Sequence, residues 1–333
     1  MDYKRVAVLG GGSWGTTLAV HLARIGHSVR IWEFFREHAE VMQATRENRK
    51  FLPKVKIPES IEISSDSRKM LSNAEIIVTA VPTHVMRATI ASMRLPDEAI
   101  VVNASKGIEN DSLLRMSEVI SENAPNLRRK NIGTISGPSH AEEVSRKVPT
   151  VLVSAFEESR ISTLVQKVFS NEYLRVYHSN DLAGVEIAAA LKNVIAIASG
   201  ICDGAGLGDN SKAALVSRGA VEIQRLGTAL GAKSETFYGV AGMGDLIVTC
   251  FSKHSRNRFV GEEIGKGRKL ADILDEMTMV AEGVKTAKSA HQLMKKTGVE
   301  MPILEQMYQI LFRDKSPLQA VKDLMTRPLG KEF

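Results

Sequence analysis

One lysine stands in the middle of an otherwise apolar run. Residues 185–198 read Val-Glu-Ile-Ala-Ala-Ala-Leu-Lys-Asn-Val-Ile-Ala-Ile-Ala, so Lys192 lies in a helix that is apolar on every face and should be buried. Desolvation favours the neutral amine and lowers a lysine pKa, which suits a general acid or base working near neutrality. The alternative is an ion pair with a buried carboxylate such as Glu186, for structure alone. Lys106, in Asn103-Ala104-Ser105-Lys106-Gly107-Ile108-Glu109, follows directly on a strand pattern and falls at the ligand edge of a sheet. Gly242-Met243-Gly244-Asp245 sets Asp245 at a helix start, four residues before Thr249 and on the same helical face, where a carboxylate can orient a lysine or a hydroxyl.

Two further segments have the texture of binding loops. Ser136-Gly137-Pro138-Ser139-His140-Ala141-Glu142-Glu143 reads as strand end, turn and helix start, with backbone N–H groups free to meet a substrate or an amide. His140 has the chemistry of an acid or base, although a lone histidine at a helix start more often makes a structural hydrogen bond. Ser255-Arg256-Asn257-Arg258 opens a helix, and a serine, an arginine and an asparagine at a helix N-terminus suit a phosphate. Simple capping beside a solvated arginine is the other reading.

The amino-terminal motif supplies the second reactant. A β-branched run leads into Gly10-Gly11-Gly12-Ser13-Trp14-Gly15 and then into a helical pattern, the strand–turn–helix context in which GxGxxG binds a dinucleotide. Gly10 makes the turn, Gly12 admits a pyrophosphate and Gly15 lets helix and strand pack closely. Glu33 follows the second strand, 18 positions after Gly15, near the offset of about 20 at which an acidic side chain holds a ribose 2′-hydroxyl. That favours NAD. Arg36 leaves NADP open, because its guanidinium can pair with a 2′-phosphate.

The elements that must carry these residues alternate in the first half. Strand patterns at 6–9, 29–32, 76–81, 100–102 and 132–136 are interleaved with helical patterns at 16–25, 36–47 and 113–122, and β-rich pieces at 150–154 and 174–177 follow. This predicts an α/β doubly wound parallel sheet of Rossmann type, with its ligand crevice beyond the carboxyl ends of the strands. After Asp181 only long helical patterns remain. The expected division is a dinucleotide-binding domain over 1–180 and an all-helical domain over 181–333.

The 333 residues are 44% apolar and 25% charged, ordinary values that argue against a disordered or fibrous chain. Lys and Arg number 44 against 38 Asp and Glu, a spread-out excess of +6 that points to anionic small ligands rather than nucleic acid. Two cysteines, Cys202 and Cys250, make no disulfide framework or zinc pattern, so no metal and a reducing compartment are expected. No uninterrupted apolar run approaches the ~18 residues a spanning helix needs, and no leader follows Met1, so a cytoplasmic protein without stable membrane insertion is expected.

Taken together, these motifs resemble the bacterial-type NAD(P)-dependent sn-glycerol-3-phosphate dehydrogenase family over nearly the whole chain. The likeness is carried by the glycine loop, Asn-Ala-Ser-Lys-Gly-Ile-Glu at 103–109, Ser-Gly-Pro-Ser at 136–139, Leu-Lys-Asn-Val at 191–194, Gly-Asp-Asn at 208–210, Ser-Arg-Asn at 255–257 and Val-Ala-Glu-Gly-Val at 280–284. It implies that Lys192 takes the proton of the C2 hydroxyl, with Lys106 and Asp245 in the same catalytic group. Gly137, Ser139, Ser255, Arg256 and Asn257 would complete the substrate site around Lys106, Lys192 and Asp245, with Thr249 nearby. Ser13, Trp14, Phe34, Lys106, Ala141, Arg256, Val280 and Glu282 would join Gly10, Gly12, Gly15 and Glu33 around the cofactor. The resemblance further implies interconversion of dihydroxyacetone phosphate and glycerol 3-phosphate for phospholipid synthesis, a helical domain like the C-terminal part of 6-phosphogluconate dehydrogenase, and a homodimer. Two positions depart from the family pattern: Phe34-Phe35 precede Arg36 where a basic residue often comes sooner, and Phe51 stands where a tyrosine is common. The nearest alternative is a two-domain reductase of the ketopantoate type, which has no use for the phosphate cradle at 255–257. A non-catalytic nucleotide sensor would not need Lys192.

Overall fold

A computed structural model describes residues 3–277 and 279–332. Its strands are β1 Arg5–Leu9, β2 Ser28–Trp32, β3 Glu47–Asn48, β4 Leu52–Lys56, β5 Glu62–Ser64, β6 Ile76–Thr79, β7 Ile100–Asn103, β8 Ile132–Ser136, β9 Thr150–Ala155 and β10 Leu174–Ser179. Eight of them form one sheet in the order β10-β9-β8-β7-β6-β1-β2-β5. The chain runs outward from β1 through β2 to β5 and then returns to place β6 on the other side of β1, so the topological switch point lies between β1 and β6.

Side-chain alternation explains why this sheet is covered on both faces. In β1, Val6 and Val8 join a core with Leu18, Ile31, Val78 and Phe156, whereas Ala7 and Leu9 join another with Ile77, Met86 and Val101. Helix Ser13–Arg24 packs on the first face and helices Thr83–Ala91 and Met116–Asn123 on the second. Both faces are therefore apolar, and the strands read as unbroken hydrophobic runs.

Three features depart from the pattern read in the sequence. Strands β8 and β9 are antiparallel, with Thr134 opposite Ala155. The connection between them carries only the five-residue helix Ala141–Ser145, and the chain folds back beside β8 instead of crossing over the sheet. The helix expected over 113–122 begins at Met116, because Leu113 has φ of 60° and residues 108 and 115 form a bridge instead. The β3–β4 hairpin and the short edge strand β5 had no alternating signal long enough to mark them.

Beyond β10 every regular element is helical among the described residues. Asp181 caps helix Leu182–Gly204 by accepting from the Gly184 N–H at 3.0 Å. This helix is long and apolar enough to cross a membrane, yet its apolar stretch is buried inside the fold. Around it pack helices Gly208–Ala229, Asp245–Phe251, Arg256–Gly265 and Glu282–Thr297. Glycines allow the closest of these crossings: a Cβ on Gly200 would strike the Arg258 carbonyl, and one on Gly261 the Ile197 carbonyl.

Candidate active site

The centre of the site is an anion shared by two lysines. Lys192 sits mid-helix at 5% exposure, and its Nζ donates to Asp245 Oδ1 and, at 2.7 Å, to Thr249 Oγ1. Lys106 reaches the other carboxylate oxygen, Oδ2, at 2.7 Å and the Gly137 carbonyl at 3.0 Å. Asp245 is only 1% exposed and is the first residue of helix Asp245–Phe251. Thr249, one turn on, donates to the Asp245 carbonyl at 2.6 Å, which leaves its oxygen lone pairs directed at Lys192. The structural alternative of a Lys192–Glu186 pair does not occur. Glu186 points elsewhere and accepts from Ser117 N at 2.8 Å, Ser117 Oγ at 2.5 Å and Arg115 Nη1 at 3.1 Å.

Burial and charge set the protonation of this group. Desolvation pushes Lys192 down to about 7; the Asp245 carboxylate opposes that shift and the Lys106 ammonium adds to it. Burial pushes Asp245 up, but the two ammoniums outweigh it and hold the carboxyl below its ordinary value. The result is a fixed carboxylate beside an amine that can change charge near neutrality.

The Gly137 turn joins this centre to the sheet. Gly137 follows β8 with φ of +142°, and its carbonyl accepts from both Lys106 and, at 2.8 Å, Ser139 Oγ. Ala141 is buried at the start of the next short helix. His140 is not the hydrogen-bonded structural residue expected: its Nε2 is buried without a partner among the described residues, and its ring lies 5.6 Å from that of His254. Burial lowers the His140 pKa, and the nearby Lys192 charge lowers it further.

On the helical side, Ser255 Oγ caps helix Arg256–Gly265 by accepting from Arg258 N at 3.2 Å. Arg256 is exposed and donates to the Val280 carbonyl at 3.0 Å. The Asn257 side chain is already engaged: Nδ2 donates to Asn193 Oδ1 and Oδ1 accepts from Gly283 N, both at 2.9 Å. Glu282 is likewise held, accepting from Thr83 N at 3.0 Å and Thr83 Oγ1 at 2.6 Å. Thr83 thus ties the two halves together across the cleft, while Asn193 braces the helical side from within; both were missed in the sequence reading. Their only signals were a threonine just past strand β6 and an asparagine next to the buried lysine.

The glycine loop lies at the switch point and has the shape a dinucleotide needs. Gly10 has φ of +114°, and a Cβ there would lie 2.7 Å from the Ala80 carbonyl; a Cβ on Gly15 would strike the Gly10 carbonyl, whereas one on Gly12 would meet open space. Ser13 and Trp14 form the first turn of helix Ser13–Arg24, directing N–H groups and positive potential toward a phosphate. Glu33 is buried against this loop, and Phe34 beside it is largely exposed. Among the described residues no group of three or more His, Cys, Asp or Glu side chains is placed to hold a metal ion.

Two family models cover most of the chain, the N-terminus of NAD-dependent glycerol-3-phosphate dehydrogenase at residues 5–162 and its C-terminus at 181–322. The chain belongs to this dehydrogenase family. A glycerol-3-phosphate dehydrogenase [NAD(P)+] of Syntrophotalea carbinolica is 49% identical over 330 residues, 98% of this chain and 99% of that one. One from Chlorobium limicola is 48% identical over 98% of this chain and 99% of its own length. The crystal structure of glycerol-3-phosphate dehydrogenase from Coxiella burnetii superposes with a TM-score of 0.93 at 35% identity, covering 98% of this chain and 99% of that one.

Proposed function

We propose that this chain interconverts dihydroxyacetone phosphate and sn-glycerol 3-phosphate with NAD(P)(H), supplying glycerol 3-phosphate for phospholipid synthesis. The observation that carries the proposal is the convergence of Lys192 and Lys106 on Asp245 beside the Gly137 turn. Residues 1–180 hold the dinucleotide through Gly10, Gly12, Ser13, Trp14, Gly15 and Ala141, with Val280, Glu282 and Arg256 closing over it from the helical side. Residues 181–333 hold the substrate and form a homodimer, and the protein works in the cytoplasm, in keeping with its two free buried cysteines.

When bound, the nicotinamide supplies or accepts hydride at the substrate C2. The chain's own part is proton transfer and orientation. In carbonyl reduction the Lys192 ammonium gives its proton to the oxygen on C2; in alcohol oxidation the neutral amine takes that proton back. Asp245 fixes the amine in place, and Thr249 completes its hydrogen bonding. The Lys106 ammonium polarises the same oxygen, a preorganised charge in a site mostly closed to water. Arg256 and the N-terminus of its helix hold the phosphate, with Ser139 and Gly137 at the other end of the substrate.

The test is consumption of NADH or NADPH with dihydroxyacetone phosphate compared with ketopantoate. Turnover of the phosphorylated ketone at a kcat/KM at least about 100-fold higher is expected, since ketopantoate has no phosphate to fill the cradle at Ser255 and Arg256. Preference for ketopantoate would overturn the assignment.

A further inference from the structure

We infer that the adenosine end of the cofactor site selects NAD(H) over NADP(H), with Glu33 as the residue that decides. The inference rests on the dinucleotide reading of the glycine loop and asks which of the two dinucleotides that loop prefers. Glu33 follows the end of strand β2, next to the glycine loop, and is 5% exposed. Its Oε2 accepts from Gly11 N at 3.0 Å and its Oε1 from Phe35 N at 3.1 Å. A Cβ on Gly11 would strike the carboxylate, so the anion lies flush against the loop that carries the pyrophosphate.

A carboxylate has about four acceptor sites, and two are filled here, which leaves room for a ribose hydroxyl to donate. A 2′-phosphate at the same place would bring a charge of roughly −1.5 to −2 against a buried anion that cannot turn away. NADP-selecting sites offset such a charge with an arginine. Here the nearby arginines are each paired with an acidic side chain. Arg36 Nε donates to Glu40 at 2.8 Å, Arg46 pairs with Glu59 at 2.9 Å and donates to the Ile61 carbonyl at 2.6 Å, and Arg49 pairs with Glu47 at 3.1 Å. Lys50 lies over the Phe51 ring at 5.0 Å. His38 Nδ1 stands 3.6 Å from Glu33 Oε1, beyond hydrogen-bond reach, and has no other partner among the described residues.

Arg36 is the cation closest in sequence, and its pair with Glu40 is exposed on both sides, where solvent screens it. That pair would break easily if the arginine were needed. The fixed carboxylate is what resists the phosphate, and Phe34 and Phe35, both largely exposed, add aromatic surface there but no charge.

The test measures dissociation constants of NADH and NADPH by calorimetry at pH 8, without substrate, alongside kcat/KM with dihydroxyacetone phosphate. NADH is expected to bind at least about 10-fold more tightly than NADPH. Glu33→Gln, which keeps the side chain's length and an acceptor for Gly11 while removing the charge, should narrow that ratio to within about 3-fold, chiefly by tightening NADPH. Arg36→Ala should leave the ratio as in the parent. Equal or tighter NADPH binding by the unaltered protein overturns the inference whether or not the Glu33 variant folds, and so does an unchanged ratio in a folded Glu33→Gln. Binding of neither dinucleotide overturns it together with the reading of the loop. NADH preference without turnover of dihydroxyacetone phosphate supports it and overturns the substrate assignment alone.

Discussion

Lys192 combines two properties that seldom occur together, a place inside an apolar helix and a carboxylate, Asp245, to hold it there. With its pKa lowered to about 7, the protonated form that drives carbonyl reduction is lost as pH rises through that value, while the neutral form that drives alcohol oxidation is gained. The kcat/KM for dihydroxyacetone phosphate should therefore fall above about pH 7, and that for glycerol 3-phosphate should rise over the same range; pH profiles of the two directions check the signs. At the far end of the substrate, Arg256→Ala should raise KM for dihydroxyacetone phosphate at least about 10-fold and change kcat less, because it removes one phosphate contact and leaves the proton path intact. Steady-state kinetics would separate the two effects. Lys192 was legible in the sequence because a single charge interrupts an apolar run. Its true partner was less so: Glu186 is nearer along the chain, but it faces Ser117 and Arg115, and the pairing with Asp245 depends on how two helices pack.

At the scale of elements, most of the sheet could be read from the β-branched runs, since strands buried on both faces leave an unbroken apolar signature. The hairpin at Glu47–Asn48 and Leu52–Lys56 could not, although it supplies Asn48, whose Nδ2 donates to the Gly11 carbonyl at 2.7 Å and steadies the glycine loop. Its strands are short and largely polar, so local periodicity carries no signal. Helix Pro302–Phe312 shows another contact that sequence conceals. Glu222, from helix Gly208–Ala229, accepts from Ile303 N at 2.7 Å and Leu304 N at 3.1 Å and so caps a helix distant in the chain. Burial pushes the Glu222 carboxyl up to about 7, and the two N–H groups only partly offset it. A raised carboxyl pKa adds stability that is present below its unfolded value and lost as pH rises through about 7. Relative to Glu222→Gln, the unaltered protein should lose up to about 3 kcal/mol of stability between pH 4.5 and 8, as read from urea midpoints at each pH.

For the molecule as a whole, the site exists only where the sheet and the helical bundle meet. Lys106 follows β7, Gly137 follows β8, and Lys192, Asp245 and Thr249 come from two helices of the bundle. Glu186 with Ser117 and Glu282 with Thr83 tie the two parts together on either side of this junction. The glycine loop was legible because its chemistry is local, whereas the junction was not, because it rests on contacts between residues 69 to 199 positions apart. The central claim is that the dinucleotide on one side is served by a buried amine on the other. It is tested most directly by following NADH oxidation with dihydroxyacetone phosphate for the unaltered protein and Lys192→Ala, with NADH dissociation constants measured in parallel. The account predicts a kcat at least roughly 100-fold lower in the variant, with NADH binding within about 3-fold of the parent. Near-normal turnover by a folded, NADH-binding Lys192→Ala protein would contradict it.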